Sequence, residues 1–291
     1  MKKEIRLLVF SILILTFSCS SDNDMNDDGS VINPTELIES LSFDDETSVD
    51  SLFYDNNNKL VLKKEYLDVG QLDYDTHFEY DSANNLTRIY RIHSTSVTPT
   101  EEVNYKYNAN GNLQSRIYSG FGASQEYVFE YEANVIIVNR SQDDEVRINL
   151  SSSNKIQSVG RKDANSQFFI YKEYIYDGNN IKEVRINENS QNISFVFEFD
   201  DKNFPFGVFD FGLPNNLSIK KIEAAIFNSN YPSITIGNDD NYFGFLNENN
   251  VISCSGNGSS NYSFTYNSEN YPTQITYDFL FIPSTLSITY Y

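Results

Sequence analysis

The sequence predicts an all-β fold, an antiparallel meander of repeated β-hairpins that forms a twisted, curved sheet. One observation is alternation: Phe78 and Tyr80 face one side of a strand, while Glu79 and Asp81 face the other. Another is composition: the chain holds 21 Tyr and 22 Phe, and aromatic side chains are favoured on the half-buried surface of a strand. A third is a turn motif that recurs along the chain, which indicates hairpins rather than a mixed α/β arrangement.

Residues 1–18 have the features of a lipoprotein signal peptide. Lys2, Lys3 and Arg6 precede an apolar run over residues 7–17, which is too short to cross a bilayer as a helix. The run stops at Ser18-Cys19, which resembles a bacterial lipobox, although Thr16 stands where Leu is usual. We therefore expect lipidation at Cys19 and attachment to the membrane through this anchor only. The alternative is an ordinary cleaved signal peptide with an incidental cysteine.

Residues 19–45 read as the lipidated cysteine followed by a flexible acidic tether, and residues 46–291 as one β-hairpin repeat domain. The tether is polar and almost free of apolar residues before Val31, so it cannot bury enough surface to order itself. Its early acidic residues resemble the surface-export signal of Bacteroidetes lipoproteins, namely Asp22, Asp24, Asp27 and Asp28. The alternative is a solvated linker that carries no export signal.

The hairpin motif places an aromatic pair, an Asp or Asn, a short Asn/Gly-rich gap and then an aliphatic residue. It occurs at 52–66, 78–90, 105–118, 174–186 and 264–277. Asn and Gly tolerate positive φ, and a leading Asp or Asn can accept a hydrogen bond from the backbone two residues on. The motif therefore predicts strand, turn and strand, with Asp55, Asp81 and Asp177 capping turns rather than acting in catalysis.

Later parts of the chain are less regular. Residues 131–138 and 150–159 look like degenerate copies of the unit. The Phe-, Gly- and Pro-rich stretch at 199–217 interrupts the repeats, so we expect it to cross an edge or plug an end of the sheet. Residues 217–228 partly fit an amphipathic helix, although a strand after a turn at Pro214-Asn215-Asn216 is an equal alternative.

The net charge of the chain limits the classes of partner that it is expected to bind. The formal net charge is −20, and residues 1–18 contribute +2, so residues 19–291 carry about −22. This excess of acid argues against nucleic acid, which needs clustered Lys and Arg, and against electrostatic docking to anionic lipid. It suits a protein that binds cations or neutral ligands.

Candidate chemistry is sparse. Cys254 has no second cysteine once Cys19 is lipidated, so we expect a small buried residue rather than a disulfide or a catalytic thiol. His77 and His93 lie near neighbouring strands and could share a metal, but a solvated histidine is commoner. The NDDN stretch at 238–241 could ligate calcium or form an ordinary turn. No hydrolase or phosphate-binding motif is present, so we predict no catalytic residue, no metal and no cofactor.

The motif resembles the tyrosine–aspartate repeats of Rhs proteins, best at YNANGNL (107–113) and next at YDSANNL (80–86). The lipobox, the hairpins, the FEFDDKNFPFG segment at 197–207 and the YPTQITY segment at 271–277 together resemble a family of Bacteroidetes lipoproteins that carry a domain of unknown function. This resemblance implies an extracytoplasmic β-domain at the outer membrane, facing the cell surface or the periplasm. It transfers no catalytic residue.

The functional expectation is a non-enzymatic, lipid-anchored binding, adhesion or envelope module, with a glycan or a protein as its ligand. A carbohydrate-active or other hydrolase using carboxylates is the alternative, and a purely structural envelope component is a third reading. A ligand-sized cleft with two convergent carboxylates would favour the enzyme, whereas an exposed aromatic strip would favour binding. An outer-membrane barrel suits the aromatic strands, but charges on both faces of the strands argue against it.

Overall fold

The computed structural model describes residues 37–43, 48–67, 70–141, 144–162, 167–188, 191–227, 246–256, 258–279 and 282–291. The predicted signal peptide (residues 1–18), Cys19, most of the acidic tether and the NDDN stretch at 238–241 lie outside the described residues. The described part is dominated by β-strands, as the alternating pattern predicted.

Eighteen long strands and one helix account for most of the described residues. The first group of strands is β1 (Ile38–Phe43), β2 (Ser48–Tyr54), β3 (Leu60–Leu67), β4 (Gln71–Tyr80), β5 (Leu86–His93), β6 (Glu101–Tyr107), β7 (Leu113–Gly120), β8 (Ala123–Glu132), β9 (Val135–Ser141), β10 (Asp144–Leu150), β11 (Ile156–Lys162), β12 (Phe168–Asp177), β13 (Asn180–Glu188) and β14 (Gln191–Asn203). The later described elements are the two-residue strands β15 (Gly212–Leu213) and β16 (Leu217–Ser218), helix α1 (Ile219–Phe227), and strands β17 (Asn249–Gly256), β18 (Gly258–Tyr266), β19 (Pro272–Phe279) and β20 (Ile282–Tyr290).

The long strands close into an antiparallel up-and-down barrel. Each pairs with its neighbours in sequence, β14 pairs with β17, and β20 returns to pair with β1. The prediction of an antiparallel meander of hairpins is confirmed, whereas the sheet, predicted to be twisted and curved, is in addition closed into a barrel. Closure has a clear physical benefit, because an open sheet leaves the unpaired backbone groups of two edge strands exposed.

The barrel starts before residue 46, the start predicted from the sequence. Strand β1 lies within residues 19–45, which the sequence assigned to the tether, and it pairs with both β2 and β20. Leu37, Ile38 and Leu41 are buried in the barrel. Strand β1 was hard to predict because it has few apolar residues and directly follows a long polar segment.

Five turns at one end of the barrel, which we call the turn end, share the predicted geometry. In each, a side-chain oxygen of the first residue accepts hydrogen bonds from the backbone N–H groups two and four residues on, and the acceptors are Asp55, Asp81, Asn108, Ser151 and Asn267. The fourth residue has positive φ in every case, at Asn58, Asn84, Gly111, Asn154 and Asn270. Only Gly and Asn adopt this conformation readily, which explains why the motif uses them there.

Two of the three predicted acidic turn caps are therefore confirmed. Asp55 and Asp81 cap their turns, and both carboxyl groups have a lowered pKa. At Asp81 the causes are the hydrogen bonds donated by the side chain and backbone of Asn85. Asp177 differs, because β12 and β13 meet through a two-residue turn at Gly178-Asn179 and Asp177 pairs with Asn180. Such tight hairpins need positive φ, which Gly178 supplies at 59°.

We expect Asp81→Ala to lower the free energy of unfolding by roughly 0.5–1.5 kcal/mol, because two backbone N–H groups lose their acceptor. Asp81→Asn should cost much less, since Asn108 accepts the same two bonds at its own turn. Urea denaturation of both variants measures the difference. Equal losses for Ala and Asn would mean that charge, rather than the acceptor oxygen, stabilises the turn.

The repeated tyrosines join successive hairpins. The Tyr80 hydroxyl donates to the carbonyl of Leu60 at 2.8 Å, and the Tyr176 hydroxyl donates to the carbonyl of Ile156 at 2.9 Å. The Tyr107 hydroxyl makes the same bond to the carbonyl of Leu86, in the hairpin before it. Burial raises the pKa of Tyr80 and Tyr107 well above the usual range, so both remain donors. The tyrosines of the motif are therefore structural.

Residues 204–227, which follow β14, pack inside the barrel, and we call them the insert. An 18-stranded barrel is too wide for its wall side chains alone to fill. Phe206 and Phe209 of the insert are buried, Phe211 contacts the inward ring of Phe78, and Pro214 packs against Gly111 at the turn end. The insert thus plugs this end, one of the two roles predicted for residues 199–217, and the helix predicted at 217–228 is α1.

The outer face of the barrel is charged. Arg88 pairs with Glu79 and Glu102, Lys64 with Asp75, and Arg185 with Glu183 on outward positions of the wall. Outer-membrane barrels instead present an apolar band about 25 Å tall to lipid. Among the described residues, no helix combines the length and the apolar character needed to cross a bilayer.

Candidate functional site

A row of polar side chains crosses the inner wall of the barrel, away from the turn end. Strand pairing places Lys63 of β3, Thr76 of β4, Arg91 of β5 and Glu101 of β6 side by side. They point inward because they share the parity of buried Leu52, which pairs with Lys63. A register shift beside Leu60 helps to set this parity in β3. The barrel interior, apolar near the turns, therefore becomes charged farther along the strands.

These side chains form a continuous ion-pair network. The Lys63 ammonium lies 2.6 Å from Glu65 and 3.7 Å from Asp50, and it is almost fully buried. Arg91 Nε donates to Glu65 Oε2 at 2.9 Å, and the Arg91 guanidinium stacks on the Tyr74 ring with 3.7 Å between them. Buried charges are stable only when paired in this way.

The insert supplies the opposite side of the network through Glu223 of α1. Glu223 Oε1 accepts a bond of 2.8 Å from Arg116 Nε and one of 3.1 Å from the Tyr105 hydroxyl. Lys220 lies one turn earlier on the helix, with its Nζ 3.8 Å from Glu223 Oε2. Glu223 is only 2% exposed, so the helix is held against β6 and β7 by a buried carboxylate.

A cavity of about 350 Å³ lies between the polar row and the helix. Its lining combines charged groups, aromatic rings and aliphatic side chains: Glu65, Thr76, Ile89, Tyr90, Arg91, Glu101, Glu102, Val103, Tyr105, Arg116, Tyr118, Lys220 and Glu223. The volume falls at the small end of the range of roughly 300–1,000 Å³ for small-molecule sites, which favour the mouths of β-barrels. We take this polar cavity as the candidate functional site.

Glu101 differs from the other carboxylates of the polar cavity. Its Oε2 is 3.9 Å from Arg91 Nη1, and its Oε1 accepts a long bond of 3.3 Å from the Tyr118 hydroxyl. Burial and the nearby Glu101 carboxylate raise the pKa of Tyr118, so Tyr118 stays a donor. Glu101 therefore has more acceptor capacity to spare than Glu65 or Glu223.

A second cavity, of about 480 Å³, lies among β12, β13 and β14, and Ile170, Tyr171, Ile186 and Ile193 are among its lining residues. Its charged residues, Glu173 and Arg185, pair with each other on the outer face at 3.6 Å. These charged side chains do not converge on the second cavity, which is therefore a weaker candidate for a binding site than the polar cavity.

The two histidines are not brought together. His77 faces outward and stacks on the Tyr90 ring with 4.7 Å between the ring centroids. His93 lies on inward parity near the end of β5, where Nδ1 contacts Thr95 Oγ1 at 2.7 Å. The hypothesis of a shared metal is therefore wrong for this pair. Within the described ranges, no three His, Cys, Asp or Glu residues cluster closely enough to hold a metal ion.

Cys254 lies in β17 and is partly buried, packed against the core. Burial raises the pKa of its thiol to about 11, so the reactive thiolate is scarce near neutral pH. This environment suits a packing residue. Lipidation of Cys19 and calcium binding at 238–241 stay predictions, because neither segment is among the described residues.

Sequence reasoning missed every residue of the polar cavity, although one signal was present. Charged residues occur on both parities of the strands, as at Arg88 and Arg91. The barrel explains the pattern: Arg88 faces outward and pairs with Glu102, while Arg91 faces the polar cavity. Charged residues on the inward face of a strand indicate a polar cavity when the other inward residues of that strand are apolar. This signal can be used only once the inward face of each strand is known.

Solved structures similar to this chain include two described as porin-like proteins. The one from Bacteroides uniformis has a TM-score of 0.44 and 12% identity, covering 89% of this chain and 98% of its own. The one from Bacteroides vulgatus has a TM-score of 0.41 and 14% identity, covering 88% and 98%. A complex of TcdB2, TccC3 and Cdc42 matches with a TM-score of 0.29 and 10% identity, over 79% of this chain but 12% of that one. No family model and no curated protein matches the sequence.

Proposed function

We propose that this protein is an exported, lipid-anchored envelope protein that binds a small polar ligand inside its barrel and performs no catalysis. The observation that carries the proposal is the polar cavity: about 350 Å³ of space, lined by paired charges, inside a barrel whose interior is otherwise mainly apolar. A site of this size with convergent polar groups is the usual form of a small-molecule site.

The energetics of the buried charges support binding over a purely structural role. Ion pairs inside a protein lose hydration, and apolar side chains of similar volume often stabilise a core as well or better. The two groups of buried ion pairs, Lys63–Glu65–Arg91 and Arg116–Glu223, therefore stabilise the interior less than apolar side chains of the same volume would. This cost is understandable if the groups also recognise a ligand.

The same network argues for binding rather than hydrolysis. A glycoside hydrolase of the common type needs two carboxylates at the scissile bond, one of them protonated to act as an acid. Glu65 is held by Lys63 and Arg91, and Glu223 by Arg116 and Tyr105, so the oxygens of both carboxylates are already engaged by protein groups. Only Glu101 is loosely engaged, so a free acid–base pair is lacking among the described groups of the polar cavity.

Two observations support the proposed location at the cell envelope. Residues 1–18 and Cys19 have the sequence features of an export signal and a lipid anchor, and the charged side chains on the outer face of the barrel suit water rather than lipid. We infer attachment to the outer membrane through the lipid alone, with the barrel at the cell surface or in the periplasm. Nucleic acid is not a partner we expect, given the net charge of −20.

Filling the polar cavity tests the binding site. Val103 lines the cavity, whereas Lys106, three residues along β6, faces outward and is exposed. In a thermal-shift screen of polar small molecules, hits for the wild-type protein should be retained by Lys106→Phe and lost by Val103→Phe. Hits that survive in Val103→Phe would place the site elsewhere, and a screen without hits would contradict the binding function.

Anchoring is tested separately by protease treatment of intact cells and membrane fractionation of wild type and Cys19→Ala. We expect the wild-type protein in the membrane fraction and the variant outside it. Cleavage of the wild type by external protease would indicate the cell surface, and protection would indicate the periplasm. A variant that stays in the membrane would contradict lipid anchoring.

A further inference from the structure

The longest ion-pair contact among the described residues of the polar cavity is that between Arg91 and Glu101. Arg91 Nη1 and Glu101 Oε2 are 3.9 Å apart, whereas Arg91 Nε is 2.9 Å from Glu65 and Arg116 Nε is 2.8 Å from Glu223. A gap of this size is too long for a hydrogen bond. It leaves a cationic donor and an anionic acceptor side by side, each with capacity to spare.

A hydroxyl group fits this arrangement because it donates and accepts at once. It can accept from Arg91 Nη1 and donate to Glu101, so both members of the pair gain a charge-assisted bond. A carboxylate or phosphate would be attracted by Arg91 but repelled by Glu101, and an ammonium group would meet the reverse. The charges of the polar cavity are balanced, since Glu65, Glu101 and Glu223 face Arg91, Arg116 and Lys220, and the fourth lining carboxylate, Glu102, is paired with Arg88.

Apolar groups are interleaved with this polar pair. Ile89 and Val103 pair across β5 and β6, Tyr118 pairs with Val103 from β7, and all three line the polar cavity. A ligand must therefore present C–H surface next to hydroxyl groups. Rings of tyrosine suit such ligands, because each has an apolar face and a polar tip.

We infer that the ligand of the polar cavity is an uncharged sugar of one or two rings, bound with a hydroxyl between Arg91 and Glu101. This inference rests on the proposed function and names its ligand class. A cavity of about 350 Å³ has room for a ligand of that size but not for a long chain wholly inside it. A longer glycan would enter by its end.

The test uses the purified full chain and two glutamate variants, one inside the polar cavity and one on the outer face of the barrel. Glu101→Ala removes the acceptor inside the polar cavity, whereas Glu79→Ala removes an exposed carboxylate of β4 that pairs with Arg88 and does not line the cavity. Titration calorimetry and saturation-transfer NMR would compare neutral sugars (glucose, galactose, N-acetylglucosamine, maltose, lactose) with glucuronate as an anion and glycylglycine as a zwitterion. Far-UV circular dichroism would check that both variants are folded.

We expect at least one neutral sugar to bind the wild type and Glu79→Ala equally, and Glu101→Ala to raise its Kd roughly tenfold or more. Glu101-dependent binding of only glucuronate or glycylglycine would overturn the sugar assignment while leaving the binding function intact. Sugar binding that Glu101→Ala leaves unchanged would overturn the assignment of the site. Absence of binding by all three ligand classes would overturn the sugar inference. The wider screen with Val103→Phe then decides the binding function independently.

Discussion

Glu223→Ala is expected to lower the free energy of unfolding by about 3–5 kcal/mol, because it removes the carboxylate that two buried cations share. Arg116 and Lys220 are both nearly buried, and Tyr105 also loses its acceptor on Glu223. The change should also loosen α1, which Glu223 holds against β6 and β7. Because the chain has no Trp, urea denaturation followed by circular dichroism is the suitable measurement.

Glu126→Ala is the matched control for this prediction. Glu126 lies on the exposed outer face of β8, and its loss should change the free energy of unfolding by less than about 0.5 kcal/mol. If both variants were equally stable, the Glu223 network would contribute little, and the insert would be held by its apolar contacts alone.

Phe206→Ala is expected to cost about 3–5 kcal/mol, which is the usual range for deleting a fully buried ring. Phe206 is only 1% exposed, and its ring contacts that of Phe204 at 5.6 Å between centroids. The variant leaves a cavity in the plug that fills the wide barrel. A lower denaturation midpoint with an unchanged slope would indicate loss of packing in a structure that is otherwise preserved.

Phe53→Ala provides the comparison. Phe53 has the same ring but faces outward from β2 and is 40% exposed, so the expected loss is below about 1 kcal/mol. A similar loss for both variants would show that the insert is not part of the cooperative core. A Phe206→Ala effect below that of Phe53→Ala would contradict the description of the insert as a plug.

The local features of the fold were predictable from the sequence. Asp55 and Asp81 cap their turns as expected, and Asn84 and Gly111 occupy the positive-φ position that the motif reserves for them. These features depend on residues within about five positions of one another, where backbone geometry and side-chain chemistry act directly. The helix at 219–227 was only one of two readings, because burial inside the barrel decides between helix and strand there.

The polar cavity was not predictable in the same way. Glu223 meets Tyr105 and Arg116 across 118 and 107 residues of sequence. Glu65 and Arg91 are on strands that are not adjacent, and the Arg91 side chain meets Glu65 across β4. Charged residues on both parities were visible, but their signs and spacing alone do not say which face lines a cavity.

The sequence by itself determined the repeated unit of this protein: an alternating strand, a capped turn with one left-handed residue, and a tyrosine followed by an aliphatic residue that enters the core. Each of these depends on short-range hydrogen bonding and on the two-residue period of a strand. Only the tertiary structure decided that β1 meets β20, that residues 204–227 fill the barrel, and that inward charges enclose a polar cavity. The reason is that closure and burial depend on contacts between distant segments, whose free energy no local pattern records.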